Sequence, residues 1–355
     1  MEILELLEKT VQNNASDLHL VVGDVPAIRI DGRLTFLNTY PQIEKDEMEK
    51  MIASILTAHQ KEFLVNNRSL DFSYAYGGGN FGDRGRFRVN CYYQRGTLAA
   101  AFRLLPTRIR TIEELGLPPI CSTFSKLRQG FVLVTGPTGH GKSTTLAAII
   151  NQINSERSSN IITIEDPIEY MYPKGKSIVS QRELGSDTFS WHEGLKSALR
   201  EDIDVVLIGE MRDPESIATA ISIAETGHLV FSTLHTNSAA QSIDRIIDSF
   251  PEAQQAQIRV QLAGTLAGII SQRLIERIDA GRAVATEVLL GTNAVRATIR
   301  DGKTHLLDSI IETSQNEGMI PLDVSLANLV KDGAIALDTG KSYSLHMDSF
   351  LRLLS

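Results

Sequence analysis

The sequence predicts an α/β protein in two parts, a small α+β domain followed by a larger domain built on a parallel sheet. Three observations carry that prediction. Aliphatic runs at 131–134, 161–164, 205–208 and 229–231 alternate with helix-like stretches, as in sheets whose strands are covered on both faces. The first run leads straight into a glycine-rich turn, 136–143, and then a helix-like stretch, 144–153. Ahead of these, residues 106–119 hold three of the chain's eleven prolines and read as an interdomain linker.

Taken in order, Ile3, Leu6, Leu7 and Val11 fall at helical spacing and predict a short amphipathic helix. Residues 17–22 read as a strand, and 27–30 joins 33–37 through Asp31-Gly32, a two-residue hairpin signal. A single helix is expected over about 43–63. Strands at 70–76 and 87–93 flank a flexible loop, 77–82, and a last strand, 98–105, stops at Pro106. Beyond Pro251 the chain is expected to be mainly helical.

Composition narrows the function classes. The 355 residues are 42% hydrophobic and 22% charged, with a formal net charge of −8. That balance argues against gripping long stretches of nucleic acid. Cys91 and Cys121, thirty positions apart, supply neither a disulfide framework nor a cysteine zinc site. No apolar run approaches the roughly 18–20 residues of a membrane span. The first eight residues, Met1 to Glu8, are acidic where a secretion signal is basic, so an intracellular chain with at most peripheral membrane contact is expected.

Gly136-Pro137-Thr138-Gly139-His140-Gly141-Lys142-Ser143 matches the phosphate-binding pattern GxxxxGK[ST]. Small residues let backbone N–H groups wrap phosphates at a helix N-terminus. Lys142 would neutralise β/γ oxygens and the Ser143 hydroxyl would hold Mg²⁺, with Thr144 next in the contacting set. The other strands end in reactive residues too: Glu165-Asp166, Gly209-Glu210 and Thr233-Leu234-His235. Ligands of open parallel sheets bind at the carboxyl ends of strands, so these could converge on one nucleotide. Glu210 is the candidate to orient or deprotonate the attacking water. His235 reads as functional. His228 reads as either functional or structural, and the two histidines alone make no zinc site. Arg86 and Arg88 share a strand face, with Arg95 and Arg103 nearby. They read either as a solvated face or as fingers reaching a nucleotide across a domain or subunit boundary.

Together these motifs resemble the PilT-like ATPases of the secretion-ATPase superfamily, over nearly the whole length. Ala15-Ser16-Asp17-Leu18-His19-Leu20 looks like the family's opening motif, and Arg86 to Asn90 with Gln94-Arg95-Gly96 like its arginine strand. Ile164 to Tyr170 is similar to its aspartate box, Gly209 to Asp213 to its Walker B end, and Gly227-His228 through His235-Thr236-Asn237 to its histidine box. The resemblance implies a PAS-like domain over 1–105, a linker over 106–119, and a RecA-like ATPase domain over 120–355 that is helical from about 251. It implies ATP and Mg²⁺ as cofactors and a homohexamer at the cytoplasmic face of the inner membrane, with nucleotide between the domains. The hexamer would meet a pilus platform protein there, with or without a paralogous retraction ATPase, and draw pilin from the fibre.

By the same resemblance Glu210 is the catalytic glutamate, Glu165 serves Mg²⁺ directly or through water, and Arg88 and Arg103 approach the γ-phosphate. His228 joins the nucleotide contacts. Assembly ATPases of the superfamily generally carry a four-cysteine zinc module, which two cysteines cannot build, so retraction is the expected role, with a related secretion or pilus assembly ATPase as the alternative. Departures from the family pattern are His140 for serine, Ile203 for proline and Asp301 for glutamate.

Overall fold

A computed structural model describes residues 1–30, 32–77, 85–106, 108–211 and 213–355. It divides into two compact units, Met1–Arg108 with Asp166–Met171, and Ile109–Glu165 with Tyr172–Ser355. Of the expected features, Asp31 of the hairpin turn, 78–82 of the glycine-rich loop, Thr107 and Arg212 lie outside the described residues.

The first unit is helix α1 (Ile3–Gln12), strands β1 (Asp17–Val21), β2 (Ala27–Ile30) and β3 (Arg33–Phe36), helices α2 (Lys45–Ile55) and α3 (Ala58–Asn67), and strands β4 (Ser69–Tyr76), β5 (Gly85–Gln94) and β6 (Thr97–Leu104). All pairings in its sheet are antiparallel, in the order β3-β2-β1-β6-β5-β4. The single helix expected over 43–63 is two. Leu56 is extended, and Thr57 opens a new helix with a capping box: its hydroxyl accepts from Gln60 N while the Gln60 side chain accepts from Thr57 N.

Period-two alternation sorts this sheet into two faces. Leu18, Leu20, Phe87, Val89, Cys91 and Phe102 are buried with Leu6 and Leu7 of α1. Phe87 and Phe102 meet edge to face at 6.4 Å, a contact worth about 0.5–1.5 kcal/mol beyond area burial. The opposite face carries a row of register partners: Arg88 opposite Arg103, Arg103 opposite Asp17, and Asp17 opposite Arg29.

The second unit opens with α4 (Cys121–Phe124), β7 (Gly130–Thr135), α5 (Lys142–Glu156), β8 (Asn160–Glu165) and β9 (Ile178–Glu183). Next come α6 (Trp191–Ala198), β10 (Val205–Ile208), α7 (Pro214–Glu225), β11 (Leu229–Leu234), α8 (Ala239–Asp248) and α9 (Glu252–Thr265). It ends with β12 (Leu266–Glu276), β13 (Arg282–Leu290), α10 (Asn293–Arg300), α11 (Leu307–Thr313), α12 (Leu322–Lys331), α13 (Leu337–Tyr343) and α14 (Met347–Leu354). Its sheet runs β13-β12-β7-β11-β10-β8-β9, parallel throughout except for the antiparallel β12–β13 pair. The expected alternation of strand and helix is therefore present, with β9 as an unforeseen edge strand.

The segment after Pro251 is not purely helical. β12 and β13 form a long hairpin, and β12 adds to the sheet beside β7. Two glycines make the close packing feasible. A Cβ at Gly268 would stand 2.5 Å from the Phe124 ring, and one at Gly291 would collide with the Leu266 carbonyl. Among the described residues, no helix is long and apolar enough to cross a membrane.

Candidate active site

Four adjacent parallel strands, β7, β11, β10 and β8, end on one edge of the second sheet, and their next residues are the chemical ones. β7 delivers the glycine turn. Gly136, Gly139 and Gly141 have φ of 144°, 79° and 83°, a region that side chains rarely tolerate. A Cβ at Gly136 would also collide with the carbonyl of Gln272. Lys142 and Ser143 then start α5, Ser143 exposed and Lys142 buried to 8% exposure.

The Lys142 ammonium folds back on its own loop, donating to Gly136 O at 2.8 Å and Pro137 O at 3.0 Å. It also lies 3.4 Å from His235 Nδ1, and Thr138 Oγ1 lies 3.3 Å from the same nitrogen. An ammonium can only donate, so Nδ1 is the acceptor and the ring proton sits on Nε2. That nitrogen faces Glu210 Oε2 at 3.4 Å. His235 thus links the loop lysine to the strand-end glutamate. Glu165, buried at the end of β8, accepts from Thr163 Oγ1 at 2.6 Å and from Gln181 Nε2 at 3.2 Å.

Gly209 stands where many phosphate-loop enzymes carry an acid. A Cβ there would fit closely, 3.3 Å from Glu165 Cα, 3.4 Å from Ile164 O and 3.5 Å from the ring of Trp191. Among the described residues, no group of three or more His, Cys, Asp or Glu could hold a metal. A hard cation here would rest on the Ser143 hydroxyl, Glu165, water and phosphate oxygens, a donor set that suits Mg²⁺.

One of the two histidines stands apart from this cluster, and one group of contacts at the glycine turn is not among those the sequence predicts. His228 precedes β11 at the end opposite the glycine turn. Its carbonyl accepts from Gly130 N, where β7 begins, and its Nδ1 lies 3.0 Å from Thr226 Oγ1 and 3.1 Å from Ile223 O. Six strand residues at roughly 3.3 Å each separate it from His235, so within one chain it is no part of the cluster. The expected arginines belong to the first unit. Arg88 donates to Asp71 Oδ2 at 2.6 Å, and Arg103 to Asp17 Oδ1 at 3.0 Å. Burial works to raise the Asp17 pKa, but the Ser16 hydroxyl and Arg103 outweigh it and hold the carboxyl below its ordinary value.

The missed group is on the β12–β13 hairpin. Gln272 Nε2 donates to His140 O at 2.6 Å, Leu274 N donates to His140 Nδ1 at 3.0 Å, and Arg282 Nη1 donates to Gly139 O at 3.4 Å. Arg273, between them, donates to Asn237 O at 2.6 Å in the loop after His235. Burial first, then the nearby Arg273, Lys142 and Arg282 charges, hold His140 below the ordinary histidine pKa, so it stays a neutral acceptor. Both cysteines are free and buried, each pushed up to about 12 mainly by burial, which removes them as nucleophiles.

A glycine turn wrapped at a helix N-terminus, with a lysine, a histidine and two carboxylates at neighbouring strand ends, defines a P-loop ATPase of RecA-like build. The family model described as "Type II/IV secretion system protein" matches residues 85–332. The type IV pilus retractation ATPase PilT of Pseudomonas aeruginosa is 43% identical over 350 residues, 99% of this chain and 100% of that one. A twitching motility protein of Neisseria gonorrhoeae is 41% identical over 98% of this chain and 91% of its own length. A crystal structure of the pilus retraction motor PilT with bound ADP superposes with a TM-score of 0.91, at 43% identity, covering 99% of each chain. The chain belongs to the type II/IV secretion system protein family, within its PilT-like ATPases.

Proposed function

We propose that this chain hydrolyses ATP to drive type IV pilus retraction, and with it twitching motility. The observation that carries this reading is the match, over essentially the full length of both chains, to a pilus retraction ATPase. The strand-end cluster around Lys142, His235 and Glu210 supports the chemistry.

In this proposal residues 136–144 bind the nucleotide, with backbone N–H groups on the phosphates and Lys142 turning from its carbonyl partners to the β/γ oxygens. Bound Mg²⁺ would supply charge neutralisation to the β- and γ-phosphates. Ser143 and Glu165 are the residues that would hold it, Glu165 through water or directly. Glu210 orients or deprotonates the attacking water, and His235 reports the γ-phosphate to Glu210 through its two ring nitrogens. Arg88 and Arg103 supply positive charge to the γ-phosphoryl group as it passes from ADP, the leaving group, to water, exchanging Asp71 and Asp17 for phosphate.

The working unit is a homohexamer at the cytoplasmic face of the inner membrane, acting on a pilus platform protein. The purified protein with ATP should therefore run near six times 39.0 kDa in light scattering, and a monomer at full ATPase activity would refute the ring. The role itself is tested by counting surface pili in cells lacking the gene. More pili with lost twitching is the expected result, whereas fewer pili would assign the chain to assembly or secretion.

A further inference from the structure

Where β7 ends and turns into the P-loop, β12 runs on beside it. Ile270 and Ser271 still pair with Val134 and Thr135, but the next residue, Gln272, faces a loop instead of a strand. Its side chain, 1% exposed, takes over the bracing. The carboxamide N–H donates to His140 O at 2.6 Å, and its oxygen accepts from Thr145 Oγ1, on the first turn of α5, at 2.8 Å. Only one orientation of the amide satisfies both partners, because the reversed amide would set its oxygen against the His140 carbonyl.

We infer that Gln272 is a positioning residue for nucleotide binding, holding the 139–141 stretch of the P-loop in its phosphate-wrapping form. The physical link is the planar trans peptide between His140 and Gly141, whose C=O and N–H point in opposite directions. Pinning the His140 carbonyl to Gln272 therefore turns the Gly141 N–H away from β12. Gly141 sits at φ 83° and is a flexible joint without such a pin. Thr145, held by the same amide, fixes the first turn of α5 relative to the loop. Preorganised N–H donors bind an anion without first being ordered, so the pin acts on affinity.

The inference rests on the P-loop being the nucleotide site, and its test separates the two. Gln272→Met keeps the side-chain length but can neither donate to His140 O nor accept from Thr145. Gln272→Glu keeps the shape, and its ionised carboxylate repels the His140 carbonyl. The full chain of each variant, and of Lys142→Ala, would be titrated with fluorescently labelled ADP and assayed for ATP turnover, with the nucleotide-free melting temperature alongside. Gln272→Met should weaken ADP binding and raise KM for ATP by about 3- to 10-fold, because of the two hydrogen bonds it removes the one to His140 O is what orients the Gly141 N–H, and the loss should fall on KM rather than kcat.

Gln272→Glu should bind ADP worse than the methionine variant at pH 8. It should recover toward the parent as the pH is lowered and the carboxyl takes a proton that it can donate to His140 O, burial favouring and the nearby Arg273, Lys142 and Arg282 charges opposing that protonation, and a purely structural role would produce no such recovery. Unchanged ADP affinity in folded Gln272→Met, or identical pH profiles for the two variants, would overturn the inference. Should Gln272→Met fail to fold, the pH profile of Gln272→Glu still decides. If Lys142→Ala binds ADP normally, the P-loop reading itself has failed; if it is impaired while both Gln272 variants are normal, only this inference has.

Discussion

Lys142→Ala is expected to lower ATP turnover by at least about 10²–10³-fold, the scale on which a preorganised charge donor to a developing anion is lost. Lys142 is the one lysine or arginine within 136–143. The residue is nine-tenths buried, and two loop carbonyls at 2.8 and 3.0 Å keep its ammonium beside the glycine turn until the phosphates take their place. Alanine leaves the backbone N–H cradle but removes the cation that balances the β/γ charge. Steady-state phosphate release measures the effect, and turnover near the parent's would remove the site assignment.

Glu210→Gln should show a different pattern. Glutamine has the same size, and its oxygen can still accept from His235 Nε2, the contact now at 3.4 Å. What is lost is the negative charge and the proton acceptor, a general-base contribution of about 10²–10⁴ in kcat. ATP binding should survive, leaving a protein that holds nucleotide without turning it over. A variant that keeps kcat within a few-fold would pass the base role to another group, with Glu165 the first to examine. Loss of binding as well as turnover would make Glu210 a structural support of the cluster.

Much of this site is legible in the sequence because its parts are local. The glycines of 136–141, the lysine that follows and the reactive residue after each aliphatic run are short-range signals, each tied to one strand end. His228, open between a functional and a structural reading in the sequence, shows the limit of such local signals. A strand of six residues separates it from His235, and neighbourhood in sequence became opposite ends of the sheet.

The β12–β13 hairpin escaped because β12 is buried at nearly every position, so it shows no period-two alternation, and it follows directly on α9. β9 escaped as a partly exposed, mostly polar edge strand. The break at Thr57 needed the capping box to be weighed above the helical periodicity on both sides. Gln272 carries no signal at all in isolation, since its meaning lies in a carbonyl 132 positions earlier.

That separation bears on how the chain comes to fold. β7 lies between β11 and β12, and the segment that closes its far side is translated only after α5 to α9 and the strands among them. Loop closure over such a span is slow and entropically costly compared with local pairing. A nascent chain that already displays the whole glycine motif therefore lacks its brace until residues 266–276 leave the ribosome. Fragments ending before Leu266 would carry the signature of a nucleotide site with weakened affinity, and a strand made more than a hundred residues after the glycine motif sets when the chain first holds its fuel at full strength.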